Sequence, residues 1–383
     1  MGKGKAGGQL SGLHAVELLQ QTITGLLGRN DFDPGLVEDV MIGCVTQVGE
    51  QSNTPGRLAW LGAGLPQHVP STTIERKCGS SQQALHFGAQ GIMAGAYDVV
   101  ICGGLEVMSR EPMGSARIGK DAFGPSVTAR YAPGLVSQGV ASELINAQWG
   151  LSREELDAYS ARSHARADAT VRAGGFDNEI VPIRVPTDDG VVTVDRDETI
   201  RPGTTVEKLG ELKPSFEDPE IQRRFPQIEW KITAGNSSQL TDGASALLLM
   251  SEEKALELGL RPRARFHSFF VTADDPLIML TAPIPATRMI LERAGLTVDD
   301  IDQFEVNEAF SSIPIAWQRE LKAPDERLNP RGGAIALGHP LGASGARLMT
   351  SLLNGLEQSG GRWGLQTMCE AGGMANATII ERL

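Results

Sequence analysis

Two stretches near opposite ends of the chain repeat one another, and this repeat narrows the folds open to it. Val37-Glu38-Asp39-Val40 leads into a strand-like run through Cys44. Val298-Asp299-Asp300-Ile301 leads into a similar run, Phe304 to Val306. Cys78 lies 39 residues after Asp39, and His339 lies 39 residues after Asp300. A repeat at this scale points to one structural unit used twice.

The correspondence continues downstream. Cys78-Gly79-Ser80-Ser81 opens a helical stretch with Leu85, Ala89, Ile92 and Met93 on one face. Gly95 closes it, and Asp98 to Ile101 reads as a buried strand ending in Cys102-Gly103-Gly104. His339-Pro340-Leu341-Gly342 opens a helix carrying Ala346, Met349, Leu353 and Leu356. A strand, Trp363 to Met368, then ends in Cys369-Glu370-Ala371-Gly372-Gly373. Alternating strands and helices indicate α/β layers. Two such halves packed together would set Cys78 and His339 at related, facing helix N-termini.

The expected division is an N-terminal half (1–108 and 239–258), an inserted loop domain (109–238) and a C-terminal half (259–383). The insertion is rich in charge and in Gly/Pro breaks. It contains one strongly helical piece, Ser152 to Ala173, with Glu154, Glu155, Arg162 and Arg166 expected on exposed faces. Inserted loops are common places for substrate contacts.

Bulk properties exclude several function classes. A net charge of −12 disfavours nonspecific nucleic-acid binding. Four cysteines in 383 residues, at 44, 78, 102 and 369, are no disulfide framework and suggest a reducing cytoplasm. The most apolar run, Ala244 to Met250, is too short to span a bilayer. There is no GxxxxGK[ST], HExxH or GxSxG motif, and no clustered metal ligands.

Cys78 precedes a helix, whose N-terminal partial charge favours a thiolate over a thiol of ordinary pKa about 8.5. Taken alone it reads first as an inert core cysteine, and the matched His339 reverses that. His339, flanked by Gly338 and Gly342, is the matched base that a nucleophilic thiol needs. Otherwise it is a structural histidine bonding a turn. Cys369, at a strand end before glycines, could carry a proton to or from a substrate carbon or sulfur. Asn307 and Glu308 could orient a ligand oxygen and a neighbouring backbone. His14, His68, His86, His164 and His267 lack a paired motif and are assigned to structure or surface.

Cys78-Gly79-Ser80-Ser81-Gln82-Gln83-Ala84, Asn307-Glu308-Ala309-Phe310, residues 332–345 (GGAIALGHPLGASG) and 368–374 together resemble the thiolase family, in family order across essentially the whole chain. The resemblance implies an α/β thiolase fold. It has two duplicated βαβαβαββ halves in a five-layer α-β-α-β-α arrangement, with a loop domain inserted in the first. It implies that Cys78 takes the acyl group of a 3-ketoacyl-CoA, activated by His339, while Cys369 protonates the departing acetyl-CoA enolate and then deprotonates CoA. Asn307, through a water, and His339 would hold the thioester oxyanion. Backbone N–H groups near Cys78 and Ala371 would hold the second oxyanion. Ser238 would touch the pantetheine arm. Coenzyme A is then a co-substrate, with no permanently bound cofactor and no metal, and the assembly a homodimer or homotetramer. The same residues serve the reverse Claisen condensation.

Some positions depart from the common pattern. The chain opens at what resembles the end of the usual first block, which implies a start further upstream and a core strand outside this sequence. Ala371 stands where many members have glycine. Ser137-Gln138-Gly139 replaces a His-Met-Gly of short-chain members. Gly43 to Gln47, Gln82-Gln83 and Gly210 to Pro214 look like members acting on bulky, steroid-derived acyl groups. Lys208, Lys213, Arg223 and Arg224 are candidates for the CoA phosphates. The rivals are a ketoacyl synthase and a non-catalytic acyl-CoA- or lipid-binding relative. The first lacks a second strand-end cysteine followed by glycines, and the second typically loses the nucleophile or the Gly-His-Pro block.

Overall fold

A computed structural model describes residues 1–383. The first half runs β1 (Gly2–Lys3), α1 (Ala15–Leu27), β2 (Asp39–Gly43), α2 (Pro55–Gly62), β3 (Ser71–Ile74), α3 (Ser80–Met93) and β4 (Val99–Val107). An excursion follows, with α4 (Gly124–Arg130), α5 (Gln138–Trp149), α6 (Arg153–Arg172), a hairpin of β5 (Ile183–Thr187) and β6 (Gly190–Val194), α7 (Val206–Gly210) and α8 (Pro219–Arg224). The chain returns as β7 (Thr241–Met250), antiparallel to β4 with Asp242 opposite Val107. After α9 (Glu252–Glu257) the second half runs β8 (Ala264–Ala273), α10 (Pro283–Ala294), β9 (Gln303–Val306), α11 (Ser312–Leu321), α12 (Ala334–Leu337), α13 (Ser344–Ser359), β10 (Trp363–Glu370) and β11 (Met374–Arg382).

The two main sheets share a plan. The first has the order β1-β7-β4-β2-β3 and the second β8-β11-β10-β9. β2 is parallel to β4 as β9 is to β10, and β7 is antiparallel to β4 as β11 is to β10. Leu328 makes a single parallel bridge to Phe304, in the place β3 occupies beside β2. The repeat is therefore structural.

Five layers result. Leu18, Leu19, Ile23 and Trp60 of α1 and α2 pack on Ile42, Ile101 and Leu105 of the first sheet. Ile290, Leu291 and Trp317 of α10 and α11 cover Phe304, Val306 and Ile379 of the second. Between the sheets, Leu85 and Ala89 of α3 meet Met349, Leu352 and Leu356 of α13. Each such leucine, fully buried, contributes about 1.5–3 kcal/mol. A middle-layer helix is enclosed nearly all round, which the one-faced apolar pattern did not anticipate. Gln82, Gln83 and His86 are buried on α3, whereas Met93 is 63% exposed. The buried polar groups find partners across the layer: Gln82 Nε2 donates to Thr378 Oγ1 (2.8 Å), His86 Nε2 lies 2.7 Å from the same oxygen, and Asn376 donates to Gln83 (3.2 Å).

The expected helix over 152–173 is α6, held by a capping box between Ser152 and Glu155. Only Glu154 of its four named charges is exposed. Arg162 and Arg166 reach Asp325, and Glu155 pairs with Arg319, so these charges tie the excursion to the second half. Each such partly exposed pair is worth about 0–1 kcal/mol, which sets register more than stability. On the other side the hairpin lays Ile183, Val185 and Val194 on the α1 core.

One expectation is corrected. β4 does not end at Cys102-Gly103-Gly104 but runs on to Val107. A loop of the second half, at Gly342 and Ala343, packs directly on Gly104, and β7 at Ser245 and Ala246 packs on Gly103. β1 lies at the outer edge of the first sheet, beyond β7.

Candidate active site

The site is built where a loop of the second half crosses strands of the first. Gly338 has φ +93°, which frees the chain to turn after α12. Thr241 Oγ1 accepts the His339 N–H at 3.0 Å. Glu106, buried on β4, accepts from Gly342 N (2.9 Å), Val45 N (3.0 Å) and Thr46 N (2.9 Å). Gly342 itself lies so close to Leu105, Gly43 and Cys44 that a β-carbon would collide with their backbones. One carboxylate thus fixes the His339 loop to the end of β2 and to β4, the strand that leads into the excursion.

Cys78 is 3% exposed, just ahead of Gly79, the cap residue of α3. Its surroundings reverse the expected electrostatics. Burial raises the thiol well above its ordinary range, and nearby Cys369, Glu370 and Glu106 push the same way. A single helix end does not offset that desolvation. The Cys78 thiolate is thereby disfavoured.

His339 is 4% exposed and oriented on both ring nitrogens. Ser344 Oγ donates to the Pro340 carbonyl (2.8 Å) and lies 2.6 Å from His339 Nδ1. With its one proton committed to Pro340, the hydroxyl accepts from Nδ1–H, an assignment made from the network. Nε2 is then the unprotonated nitrogen, 3.5 Å from Asn307 Nδ2. Burial, with Arg347 beside it, lowers the imidazole to about 3. A neutral ring with a free lone pair is a base.

Asn307 connects this base to the second thiol. It follows β9, its Nδ2 faces His339, and its side chain also bonds Cys369, while Oδ1 has no partner. Cys369, on β10, is pushed up to about 12 by burial, with Glu370 adding and the Asn307 and Ala309 contacts opposing. Cys78, His339, Asn307 and Cys369 therefore meet at one buried point. No hydrogen bond joins Cys78 to His339 directly.

Glu370, between Cys369 and the glycines, was given no role from the sequence. Its carboxyl lies against Gly79, where any β-carbon would strike it. Burial raises it to about 8, with Arg76 opposing. Ser344 was missed too, since one serine in a glycine-rich run gives no signal of its partner.

The remaining sites lie around this centre. Ala371 does not have a positive φ; the left-handed residues are Gly372 (+94°) and Gly373 (+83°), so alanine is unstrained at that position. Ser238 is pinned by its N–H to the Ala309 carbonyl (2.9 Å) and is part-exposed. Gln138 is the first residue of α5, capped by Ser137. Val136, Val140, Met279 and Phe310 share one apolar cluster with Cys369, and Phe216, Leu277 and Ala371 pack on it. Of the basic candidates, Arg224 bonds the Gly134 carbonyl (2.8 Å) and Lys208 the Gly203 carbonyl (3.0 Å), while Lys213 and Arg223 are exposed.

Glu308 holds the scaffold. Its carboxylate accepts from Tyr159 (2.9 Å) and Ser163 (2.8 Å) of α6, from Asn329 (2.9 Å), and from the Ile335 N–H (3.1 Å) of the segment leading to His339. Glu308→Gln replaces an acceptor by a donor among donors. We expect a loss of about 3 kcal/mol in urea unfolding at pH 7. A loss under about 0.5 kcal/mol would contradict this role.

The family comparisons agree with this architecture. The family "Thiolase, N-terminal domain" matches residues 1–253, and "Thiolase, C-terminal domain" matches residues 260–382. The steroid 3-ketoacyl-CoA thiolase FadA6 of Mycobacterium tuberculosis is 49% identical, over 99% of this chain and 91% of its own. The 3-ketoacyl-CoA thiolase of Vibrio vulnificus is 44% identical, over 100% and 96%. The crystal structure of the Bacillus anthracis acetyl-CoA acetyltransferase superposes with a TM-score of 0.87 at 36% identity, over 98% of this chain and 95% of that one. With both halves matched and the fold shared, the chain belongs to the thiolase family of acyltransferases.

Proposed function

We propose that the protein cleaves a 3-ketoacyl-CoA with free CoA, through an acyl group carried on Cys78. The convergence of two thiols, a neutral imidazole and a carboxamide at one buried point carries this reading. Cys78 gives its proton to His339 Nε2 as sulfur attacks the 3-keto carbon. The C2–C3 bond breaks, leaving the acyl thioester on Cys78 and an acetyl-CoA enolate. Cys369 protonates C2, and acetyl-CoA leaves. The Cys369 thiolate then takes the proton of incoming CoA, whose sulfur attacks the thioester. The Cys78 thiolate is released and recovers its proton from His339. Asn307 and protonated His339 face the enolate oxygen. The N–H groups of Cys78 and Ala371 face the oxyanion of the second step.

Both thiols are disfavoured as thiolates at rest. Their burial shields an acyl group on Cys78 from water and so from hydrolysis. All four cysteines are free, consistent with action in a reducing cytoplasm. Exposed Met113, Ile118 and Phe123 on the excursion support a homodimer or homotetramer as the working assembly.

The pH dependence follows from His339. Its pKa of about 3 lies below the ordinary 6.5, so the base stays neutral as pH falls from 8 to 5. The acid side of kcat/KM is therefore expected to be flat over that range. An acid limb centred near 6.5 in the folded enzyme would contradict the assignment.

For the acyl group, the apolar wall beside Cys369 and Gln138 at the start of α5 support a bulky, ring-bearing chain of the kind named for the Mycobacterium relative. Thiolysis along a series from acetoacetyl-CoA to steroid side-chain CoA esters tests this. We expect kcat/KM to rise by roughly tenfold or more towards the bulky end, as added apolar contacts of 1–3 kcal/mol imply. A strict preference for acetoacetyl-CoA would overturn the substrate reading and leave the chemistry standing.

A further inference from the structure

Glu370 takes no part in the steps above, yet its side chain joins the segments that carry the two thiols. It is the last residue of β10, directly after Cys369, and it is fully buried. Its carboxyl lies on Gly79, directly after Cys78, where an added β-carbon would collide with it. The turn it presses on is constrained from the other side. Lys77 holds a left-handed backbone at φ +48°. Ser80 Oγ donates to the Lys77 carbonyl (2.6 Å) and accepts the Arg76 N–H (2.9 Å). Glu370 therefore spaces the Cys78 turn from the strand end that carries Cys369.

A residue kept only for spacing has no need of charge. Both Glu370 oxygens are out of solvent and without a hydrogen-bond partner. Arg76, on the segment between β3 and α3, acts on the carboxyl, and its own Nε is likewise buried without a partner. A buried carboxyl in this state is costly, and an apolar side chain of similar size would fill the space without that cost. The groups that face Glu370 are Arg76, Cys78 ahead of α3, Cys369 on its own strand and the Asn376 main chain of β11. Glu106 of β4 acts on Cys78 as well. The Glu370 carboxyl acts on both thiols, and in the same direction. Like charges sharing a dry site resist ionising together.

We propose that Glu370 is a positioning residue for the thiolase reaction: its charge governs how readily Cys78 and Cys369 part with their protons, and its bulk sets the gap between them. The proposal rests on the two-thiol chemistry above. While protonated, the carboxyl adds no charge against either thiolate. Once ionised, it opposes both. Burial raises its pKa to about 8 against the pull of Arg76. Raising the pH through that value should therefore gain thiolate less steeply than an isolated thiol would.

The test is the rate of Cys78 alkylation by iodoacetamide in the full, acyl-free chain, followed by mass spectrometry of the Cys78 peptide as pH is raised from 6 to 10. In the wild type the logarithm of the rate should flatten near pH 8. Glu370→Gln keeps the bulk and removes the charge. Its rate should rise by about a decade per pH unit and be roughly tenfold or more faster at pH 9. Glu370→Asp keeps the charge and should keep the flattened profile. Glu370→Met should alkylate like Glu370→Gln without lowering Tm, which a purely structural carboxyl would not allow. Gly79→Ala should lower kcat roughly tenfold or more by forcing the turn off the carboxyl, and Glu370→Ala in the same chain should recover it. Coincident profiles for wild type and Glu370→Gln, a lower Tm for Glu370→Met with unchanged alkylation, or a double variant no better than Gly79→Ala would overturn the proposal. Alkylation needs no substrate. A Cys78 that reacts in this way but carries no acyl group would refute the thiolase chemistry and leave the charge effect standing.

Discussion

Cys78→Ala should lower kcat by about 10⁴-fold or more and leave no acyl adduct, while the protein remains folded. The size follows from the role, since the acyl chain loses its carrier and the remaining thiol, Cys369, is assigned to proton transfer. The fold should tolerate the change. Cys78 belongs to a small cluster with Leu348 and Met368, and losing one sulfur there costs about 1 kcal/mol. Circular dichroism and kcat measured on the same sample separate the two effects. Turnover near the wild-type rate would show that another group is the nucleophile.

Cys369→Ala should be nearly as severe but different in kind. The Cys78 nucleophile and its base stay in place, because His339 is oriented by Ser344 and Thr241 and not by Cys369. What is lost is the proton donor to the enolate and the base for CoA. General acid–base catalysis of this sort is worth about 10²–10⁴-fold, so kcat should fall within that range. Alkylation of Cys78 by iodoacetamide should persist, which a merely unfolded variant would show for all its cysteines alike. A variant with unchanged kcat would remove Cys369 from the mechanism.

Much of the frame was legible in the sequence for a physical reason. A duplicated α/β unit repeats its turn chemistry at fixed offsets. Asp39 with Cys78, and Asp300 with His339, kept their spacing because β2 and β9, and α3 and α13, occupy equivalent places. The capping box of α6 was readable because Ser152 and Glu155 are three residues apart. What could not be read were partners distant in the chain. Glu106 holds Gly342 across 236 residues, and Glu308 gathers donors from Tyr159 to Ile335. The burial of Gln82, Gln83 and His86 depends on α3 lying between two sheets, which a one-helix pattern does not contain.

The thiol electrostatics were misread for the same reason. A cysteine before a helix suggests a stabilised thiolate when only its own segment is considered. The folded site adds burial, a second thiol and two carboxyl groups around it, all acting the other way. The chemistry then does not rest on a standing thiolate.

The central claim is tested most directly by mass spectrometry of the protein after a brief exposure to a 3-ketoacyl-CoA without free CoA. The account predicts one acyl group, two carbons shorter than the substrate, on the peptide containing Cys78, and its disappearance when CoA is added. An adduct on Cys369 or Cys102, or turnover with no adduct on Cys78, would contradict it.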